Sequence, residues 1–279
     1  MPADRSIPDV TPASPVGRVQ GMHADDATLQ AAMADLRRAR SVLVITGAGI
    51  SADSGLPTYR GVGGLYDRDL TEEGIPIEEA LSGGMFRQRP ELTWKYIHQI
   101  ESTSRGAGYN AGHKALADME RHFERFTLLT QNVDGFHRDA GSTDVIEIHG
   151  NVHELYCTSC GEEEWVEDFS QLNGIPPSCP ACGSLVRPRV VLFDELLPQD
   201  AVARLEEAVD SQPDVVITVG TTAGFPYIAA PVLHAAQRAT PTIEINPGDS
   251  EVSAFVQHRF QARGIEVLPY MAGELGAGE

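Results

Sequence analysis

Long hydrophobic runs are missing from this sequence: none of about 18 consecutive apolar residues occurs in its 279 positions. We therefore expect no membrane-spanning segment. Basic residues are also scarce, since 21 Lys and Arg stand against 40 Asp and Glu, a formal net charge of −19. A chain of this charge repels nucleic-acid phosphates and attracts basic proteins or peptides. We therefore expect neither nucleic acid nor a membrane to be a direct partner.

Cysteine is scarce too, and its four positions fall in one stretch: Cys157, Cys160, Cys179 and Cys182. Scattered cysteines would suggest two disulfides, whereas two C-x2-C pairs 18 residues apart predict a tetrahedral zinc site. Four thiolates close the coordination shell, so the zinc is expected to be structural rather than catalytic. A nucleic-acid-binding zinc ribbon is the alternative, but acidic residues at 162–164 and 167–168 disfavour it.

The first 25 residues have no apolar core of the kind a secretory signal contains, and they are rich in Pro, Ala and Ser. We interpret 1–25 as a disordered tail and 271–279 as a second tail. The absence of a secretory pattern, together with the paired cysteines, predicts a cytoplasmic protein.

Short apolar segments alternate with helical patterns along most of the chain. Strands are predicted at 42–46, 126–130, 145–148, 190–193, 215–219 and 242–245, and helices at 26–40, 90–104, 199–209 and 226–237. This alternation predicts an α/β fold, a doubly wound Rossmann-like parallel sheet covered on both faces. We assign 26–150 and 189–270 to this domain and 151–188 to an inserted zinc-binding module.

A glycine cluster follows the first predicted strand. Gly47-Ala48-Gly49 begins a G-x-G-x-x-A pattern, in which backbone amides at a helix start can hold a pyrophosphate. A tight turn is the alternative. A dehydrogenase would place a second strand and a ribose-binding acid about 20 residues further on, but residues 61–69 are glycine-rich and show no strand pattern. The pattern predicts a dinucleotide outside the usual dehydrogenase arrangement.

Polar residues also follow two further predicted strands. Gln131, Asn132 and Asp134 suit recognition of a carboxamide and ribose hydroxyls at a strand end, although a helix cap would use the same residues. His149 ends the next predicted strand, where it can serve as a general base near neutral pH or play a structural part.

Taken in order, these motifs resemble the sirtuins, the NAD-dependent protein-lysine deacylases. The similarity comprises the segment 47–60, the segment 130–134, His149-Gly150, both C-x2-C pairs, the segment 220–222 and Ile245-Asn246. It extends from about Ala32 to Pro269, nearly everything but the two tails.

The resemblance implies that NAD binds across the sheet edge and that an acyl-lysine protein or peptide enters between the two domains. The acyl group would pass to ADP-ribose with release of nicotinamide; mono-ADP-ribosyl transfer, using the same cleavage, is the alternative activity. By similarity His149 is the general base, acting with Asn132 and Asp134. The NAD-binding residues implied by the resemblance are Gly47, Ala48, Gly49, Ser51, Tyr59, Arg60, Gln131, Asn132, Asp134, Gly220, Thr221, Thr222 and Asn246.

Several positions depart from the family pattern. Tyr59 stands where the family usually has Phe, and Thr222 where it has Ser. Val191 and Phe193 belong to the segment that pairs with substrate peptide, but Asp194 follows where the family usually has Gly. A negative charge there is expected to hinder peptide approach or to favour cationic peptides.

One predicted helix bears on which acyl group the enzyme would remove. Members that remove succinyl or malonyl groups have a Tyr-x-x-Arg pair after the cofactor loop, and the register places Ile97 and Ile100 there. Two apolar residues would leave an anionic acyl group buried without a partner. The hypothesis is that acetyl or longer neutral acyl groups are the substrates.

Overall fold

The computed structural model describes residues 26–58 and 70–277. The predicted tail at 1–25 and the predicted cofactor contacts Tyr59 and Arg60 therefore lie outside the described residues. In the part of the chain that is described, no helix is both long and apolar enough to cross a bilayer.

Strands form two sheets. They are β1 (Ser41–Thr46), β2 (Arg125–Thr130), β3 (Val145–Glu147), β4 (Gly150–Cys157), β5 (Glu163–Trp165), β6 (Val186–Val190), β7 (Val215–Val219), β8 (Thr242–Ile245) and β9 (His258–Phe260). Six of them build a parallel sheet in the order β3-β2-β1-β7-β8-β9. β4, β5 and β6 build a separate antiparallel sheet with β4 in the middle.

The helices are α1 (Asp26–Arg38), α2 (Ile77–Ala80), α3 (Gly83–Gln88), α4 (Pro90–Ser104), α5 (Ala111–Met119), α6 (Phe136–Asp139), α7 (Gln199–Asp210), α8 (Pro226–Gln237) and α9 (Gly264–Gly276). Helices α1, α5 and α9 pack on one face of the parallel sheet, where Leu116 and Leu268 meet Val44. Helices α7 and α8 pack on the other face, where Leu205 and Ile228 join the second core cluster. The predicted doubly wound α/β fold is confirmed.

The small region is larger than the predicted module at 151–188. Helices α2 to α4 share a core with the antiparallel sheet, in which Trp94 of α4 is fully buried and packs on Phe169. The Trp94 Nε1–H group donates to the carbonyl of Val186 at 2.9 Å. Helices α2 to α4, which we assigned to the parallel-sheet domain from the sequence, thus share their core with the small sheet, and Trp94 of α4 contacts a residue 92 positions later.

Three further expectations are wrong in detail. The predicted strand at 190–193 turns away after Val190, since the Leu192 amide donates to the Glu195 side chain; Phe193 makes only an isolated bridge to Ser82. The predicted helix after the glycine cluster is two 3₁₀ turns, at 48–50 and 52–54. The predicted tail at 271–279 is mostly helical, because α9 continues to Gly276 and buries Met271.

Candidate cofactor and catalytic site

Two loops meet at the carboxyl edge of the parallel sheet, one after β1 and one after β7. The Gly47 amide donates to Val219 O at 3.1 Å, and the Gly49 amide donates to Gly220 O at 2.9 Å. A Cβ atom on Gly49 would lie 2.7 Å from Gly220 Cα. Gly220 has a φ of +59°, and a Cβ there would lie 2.5 Å from the Ile50 nitrogen. These glycines therefore let two backbones pack directly against each other.

A polar cluster lies beneath these loops, centred on the buried Ser51 hydroxyl. Ser51 Oγ donates to Asp134 Oδ2 at 2.7 Å and accepts from Asn132 Nδ2 at 3.1 Å. His113 Nε2 lies 3.3 Å from the same oxygen. Because the Asn110 amide donates to His113 Nδ1, the proton of His113 is on Nε2 and points to Ser51.

Burial sets the charges of this cluster. Desolvation raises the pKa of Asp134 above its ordinary value, while hydrogen bonds from Ser51 and the Phe136 amide counteract part of that effect. Desolvation lowers the pKa of His113 to about 4, so its ring is neutral at physiological pH. No sequence pattern indicated His113, which lies 62 positions from Ser51.

A second cluster links the ends of β1, β2, β7 and β8. Gln131 Nε2 donates to Thr46 O at 3.1 Å and to Thr221 Oγ1 at 2.8 Å. Asn246 Nδ2 donates to Thr221 O at 3.0 Å. Thr222 is exposed beside them. The structure thus brings together the described residues of the predicted cofactor set, from Gly47 to Asn246, at one edge of the sheet.

His149 follows β3 and is held at both ring nitrogens. Its Nδ1 lies 2.8 Å from the carbonyl oxygen of Gln131, which only accepts, so Nδ1 is protonated. Its Nε2 therefore has the lone pair, and it lies 2.8 Å from Tyr227 Oη. Burial lowers the pKa of His149, and the Gln131 hydrogen bond offsets only part of this shift. The ring is a neutral imidazole with a defined basic nitrogen.

A narrow cavity opens next to Ser51, Asn132 and Asp134. Its lining among the described residues is Ala48, Ser51, Leu56, Pro57, Ile100, Glu101, Ser104, Asn132, Val133, Asp134 and Val152. Of the predicted acyl pair only Ile100 reaches it. Ile97 is buried in the core shared with the small sheet. Glu101 was not predicted; it accepts from Arg105 Nη2 at 2.6 Å and from the Phe169 amide at 3.3 Å.

The segment predicted to bind substrate lies between the two sheets. The Val191 amide donates to His149 O at 2.9 Å, and the Phe193 amide donates to Leu81 O at 3.0 Å. Asp194 has a φ of 65°, the left-handed conformation that favours glycine. Its Oδ2 accepts from the Gly84 amide at 3.2 Å, and the side chain is exposed. An aspartate here keeps the turn and adds a charge.

The four cysteines converge at one end of the small sheet. Their Sγ atoms all lie within 4.8 Å of one another, with Cys157 and Cys182 at 3.5 Å and Cys160 and Cys179 at 3.6 Å. None forms a disulfide. Sulfur atoms about 2.3 Å from a tetrahedral zinc would be about 3.8 Å apart. The residues fit a closed zinc site.

A doubly wound sheet with a polar site at its carboxyl edge and a four-thiolate module beside it defines a nucleotide-binding α/β protein with a structural metal site. The model of the Sir2 family matches residues 47–225. The chain belongs to the Sir2 family, as the resemblance to the sirtuins predicted. Membership of this family implies NAD as cofactor and zinc as structural metal.

Relatives and solved structures agree with this assignment. The "NAD-dependent protein deacylase 2" of Pseudomonas aeruginosa is 48% identical over 242 residues, covering 86% of this chain and 94% of the relative. A Sir2 homologue solved with NAD is 34% identical, with a TM-score of 0.78 and coverage of 92% of this chain and 96% of that chain. A mutant Sir2 homologue solved with 2′-O-acetyl ADP-ribose is 33% identical, with a TM-score of 0.78 and coverage of 91% and 98%.

Proposed function

We propose that this protein is an NAD-dependent protein-lysine deacylase that removes acetyl and other neutral acyl groups, transfers them to ADP-ribose and releases nicotinamide. The observation that carries this proposal is the neutral His149 ring, whose basic Nε2 is fixed at the cofactor edge. The activity named for the Pseudomonas aeruginosa relative supports it.

Bound NAD supplies the ribose carbon to which the acyl oxygen adds as nicotinamide leaves. The loops after β1 and β7 would hold the cofactor, with Gly47, Ala48 and Gly49 at the pyrophosphate and Gly220, Thr222 and Asn246 at the adenosine half. Asn132 and Asp134 would orient the nicotinamide ribose and carboxamide from the cluster around Ser51. Because that cluster is buried and hydrogen-bonded, its geometry exists before the cofactor binds.

His149 would remove a proton from a ribose hydroxyl, which makes that oxygen nucleophilic towards the acyl carbon. As this carbon passes to the ribose oxygen, its bond to the lysine nitrogen would break, the lysine would leave as a free amine, and water would supply the remaining oxygen. The Gln131 carbonyl holds the Nδ1 proton and therefore directs the lone pair of Nε2 to the site. It also accepts a stronger hydrogen bond when the ring becomes an imidazolium, which stabilises the protonated base.

Ile100 would contact the acyl group at the edge of the cavity in which Asn132 and Asp134 would hold the nicotinamide. Glu101 adds a buried carboxylate to that wall, and the guanidinium of its neighbour Arg105 is already engaged with it at 2.6 Å and 3.1 Å. An anionic acyl group would therefore meet an apolar side chain and a carboxylate, and the nearby guanidinium is already paired with that carboxylate. This arrangement supports neutral acyl groups as substrates.

Substrate proteins would be cationic around the modified lysine. The net charge of −19 and the exposed carboxylate of Asp194 both favour Lys-rich segments. We further propose a cytoplasmic enzyme, a location that the bacterial origin of the Pseudomonas aeruginosa relative fits. Zinc held by the four cysteines would stabilise the small sheet without taking part in the reaction.

An assay with NAD labelled in the adenosine half tests this function. The enzyme is incubated with an acetyl-lysine peptide, and the label is followed in small molecules and in protein. We expect the label on acetyl-ADP-ribose, formed in equal amount to nicotinamide and lost in His149→Ala. Label transferred to protein, with the peptide still acetylated, would overturn the proposal in favour of mono-ADP-ribosyl transfer.

A further inference from the structure

Tyr227 contacts the atom on which the proposed reaction depends. It is the second residue of α8, and its Oη lies 2.8 Å from His149 Nε2. The two rings meet edge to face with centroids 6.1 Å apart. Since Nδ1 of His149 has the proton, Tyr227 is the donor and Nε2 the acceptor.

An imidazole nitrogen has one lone pair in the ring plane, so Nε2 accepts one strong hydrogen bond at a time. A ribose hydroxyl whose proton is to be removed needs this same lone pair. The hydroxyl of Tyr227 occupies it in the structure. Tyr227 and the ribose therefore compete for one atom.

The surroundings of Tyr227 allow it to leave. Its ring is only partly buried and stacks on Phe225 with centroids 5.4 Å apart and an interplanar angle of 12°. The hydroxyl is a donor at physiological pH, because burial raises the pKa of Tyr227 to about 12. A rotation of this side chain would free Nε2 while the Gln131 hydrogen bond still holds the ring of His149.

We propose that Tyr227 is a positioning residue that occupies His149 Nε2 in the free enzyme and that the nicotinamide ribose must displace it. This inference rests on the proposed function, since it assumes that NAD presents a ribose hydroxyl to His149. The inference adds that the hydrogen bond between Tyr227 and His149 lowers the affinity of the enzyme for NAD.

The test compares Tyr227→Phe, which keeps the ring and removes the competing hydroxyl, with Tyr270→Phe, a matched change in α9 on the opposite face of the sheet. The dissociation constant of NAD is measured by calorimetry without peptide. We expect about two- to tenfold tighter binding for Tyr227→Phe, the equivalent of one net neutral hydrogen bond, and no change for Tyr270→Phe. The KM for NAD is expected to fall by the same factor while kcat falls by less than twofold. Unchanged or weaker NAD binding by Tyr227→Phe would overturn the proposal.

A second measurement uses the wild-type chain and needs no activity. Tyrosines labelled at the ring carbon that bonds the hydroxyl are followed by NMR during titration with NAD, and Tyr227→Phe identifies the Tyr227 signal. We expect this signal to shift as NAD saturates the enzyme. A signal that stays in place at saturation would contradict displacement. An enzyme that binds NAD and shows the shift, yet leaves acetyl-lysine intact, would refute the proposed function while supporting the role of Tyr227.

Discussion

The parallel sheet and the small antiparallel sheet are stabilised in different ways. Every residue of β7 is buried, and helices cover both faces of its sheet. Every residue of β5 is exposed, and the small sheet ends in four cysteines whose Sγ atoms lie close enough together to bind one metal ion. Apolar burial can hold the first sheet alone, whereas the second depends on its metal and on α4. The cofactor edge belongs to the parallel sheet, and the segment 191–194, which is proposed to bind the substrate peptide, lies where the two sheets meet.

Removing the metal should have the largest effect, because only the small sheet depends on it. We expect Cys157→Ala, or treatment with a strong chelator, to unfold the small sheet and reduce deacylation at least about 100-fold, because structural zinc contributes about 10 kcal/mol or more to small folds. The helices that cover the parallel sheet should keep their circular dichroism signal. Limited proteolysis locates the unfolded region, and metal analysis should give one zinc per wild-type chain.

Ser159→Ala changes an exposed residue of the same loop and serves as the control, with zinc and activity retained. Cleavage spread over both sheets in the apo protein would contradict the separation.

Replacing His149 should abolish chemistry without disturbing either sheet. We expect His149→Ala to lower kcat/KM by about 10²- to 10⁴-fold, the usual contribution of a general base, with an unchanged circular dichroism spectrum.

The pH profile of the wild type gives an independent check on His149. Burial lowers the pKa of His149, so the ring stays neutral at pH 6.5 and becomes protonated, losing its lone pair, only below that. The acid limb of kcat/KM should therefore lie below pH 6.5. An acid limb centred above pH 7 would show that His149 is not the base.

A glycine at the cofactor edge and a glycine of α9 should respond differently to replacement by alanine. Gly49→Ala should lower the free energy of unfolding by about 2–4 kcal/mol, because its Cβ would lie 2.7 Å from Gly220 Cα. Gly273→Ala lies in α9 with nothing within 4 Å of the added Cβ, and it should stabilise the protein by about 0.5–1 kcal/mol. Urea denaturation measures both. Equal effects of the two variants would refute backbone packing as the reason for glycine.

The smallest expected effect concerns the boundary between the two regions. Asp194→Gly removes an exposed charge and keeps a residue suited to the φ of 65°. We expect a two- to threefold higher KM, as an estimate for a rim charge, for an acetylated Lys-rich peptide at low salt and little change at high salt. A neutral acetylated peptide is the control. A fall in the KM for both peptides would indicate that Asp194 obstructs the peptide instead.

Local sequence patterns predicted several elements with their exact bounds. The segments predicted as strand 242–245 and helices 90–104 and 226–237 coincide with β8, α4 and α8. The cysteine spacing predicted the cluster around Cys157 because four thiolates at that spacing have one common use. The residues after β1 and β2 were each predicted at the carboxyl end of a strand, and they meet in the structure because parallel strands end at one edge.

Long-range contacts account for what was missed. His113 joins Ser51 across 62 positions, and Tyr227 joins His149 across 78. Gly49 matched a phosphate-loop pattern, but its closest neighbour is the backbone of Gly220, which no local pattern indicates. Ile97 and Ile100 belong to the same helix and were expected to line the same pocket. Ile97 is buried in the core shared with the small sheet, whereas Ile100 lines the cavity.

The proposed function requires that acetyl-lysine be deacylated only when NAD is present. Acetyl-lysine and succinyl-lysine forms of one Lys-rich peptide are incubated with the enzyme, with and without NAD, and analysed by mass spectrometry. We predict loss of acetyl only, only with NAD, and none with His149→Ala. Desuccinylation at a rate near deacetylation would contradict the role given to Ile100 and Glu101, and loss of acetyl without NAD would contradict the account as a whole.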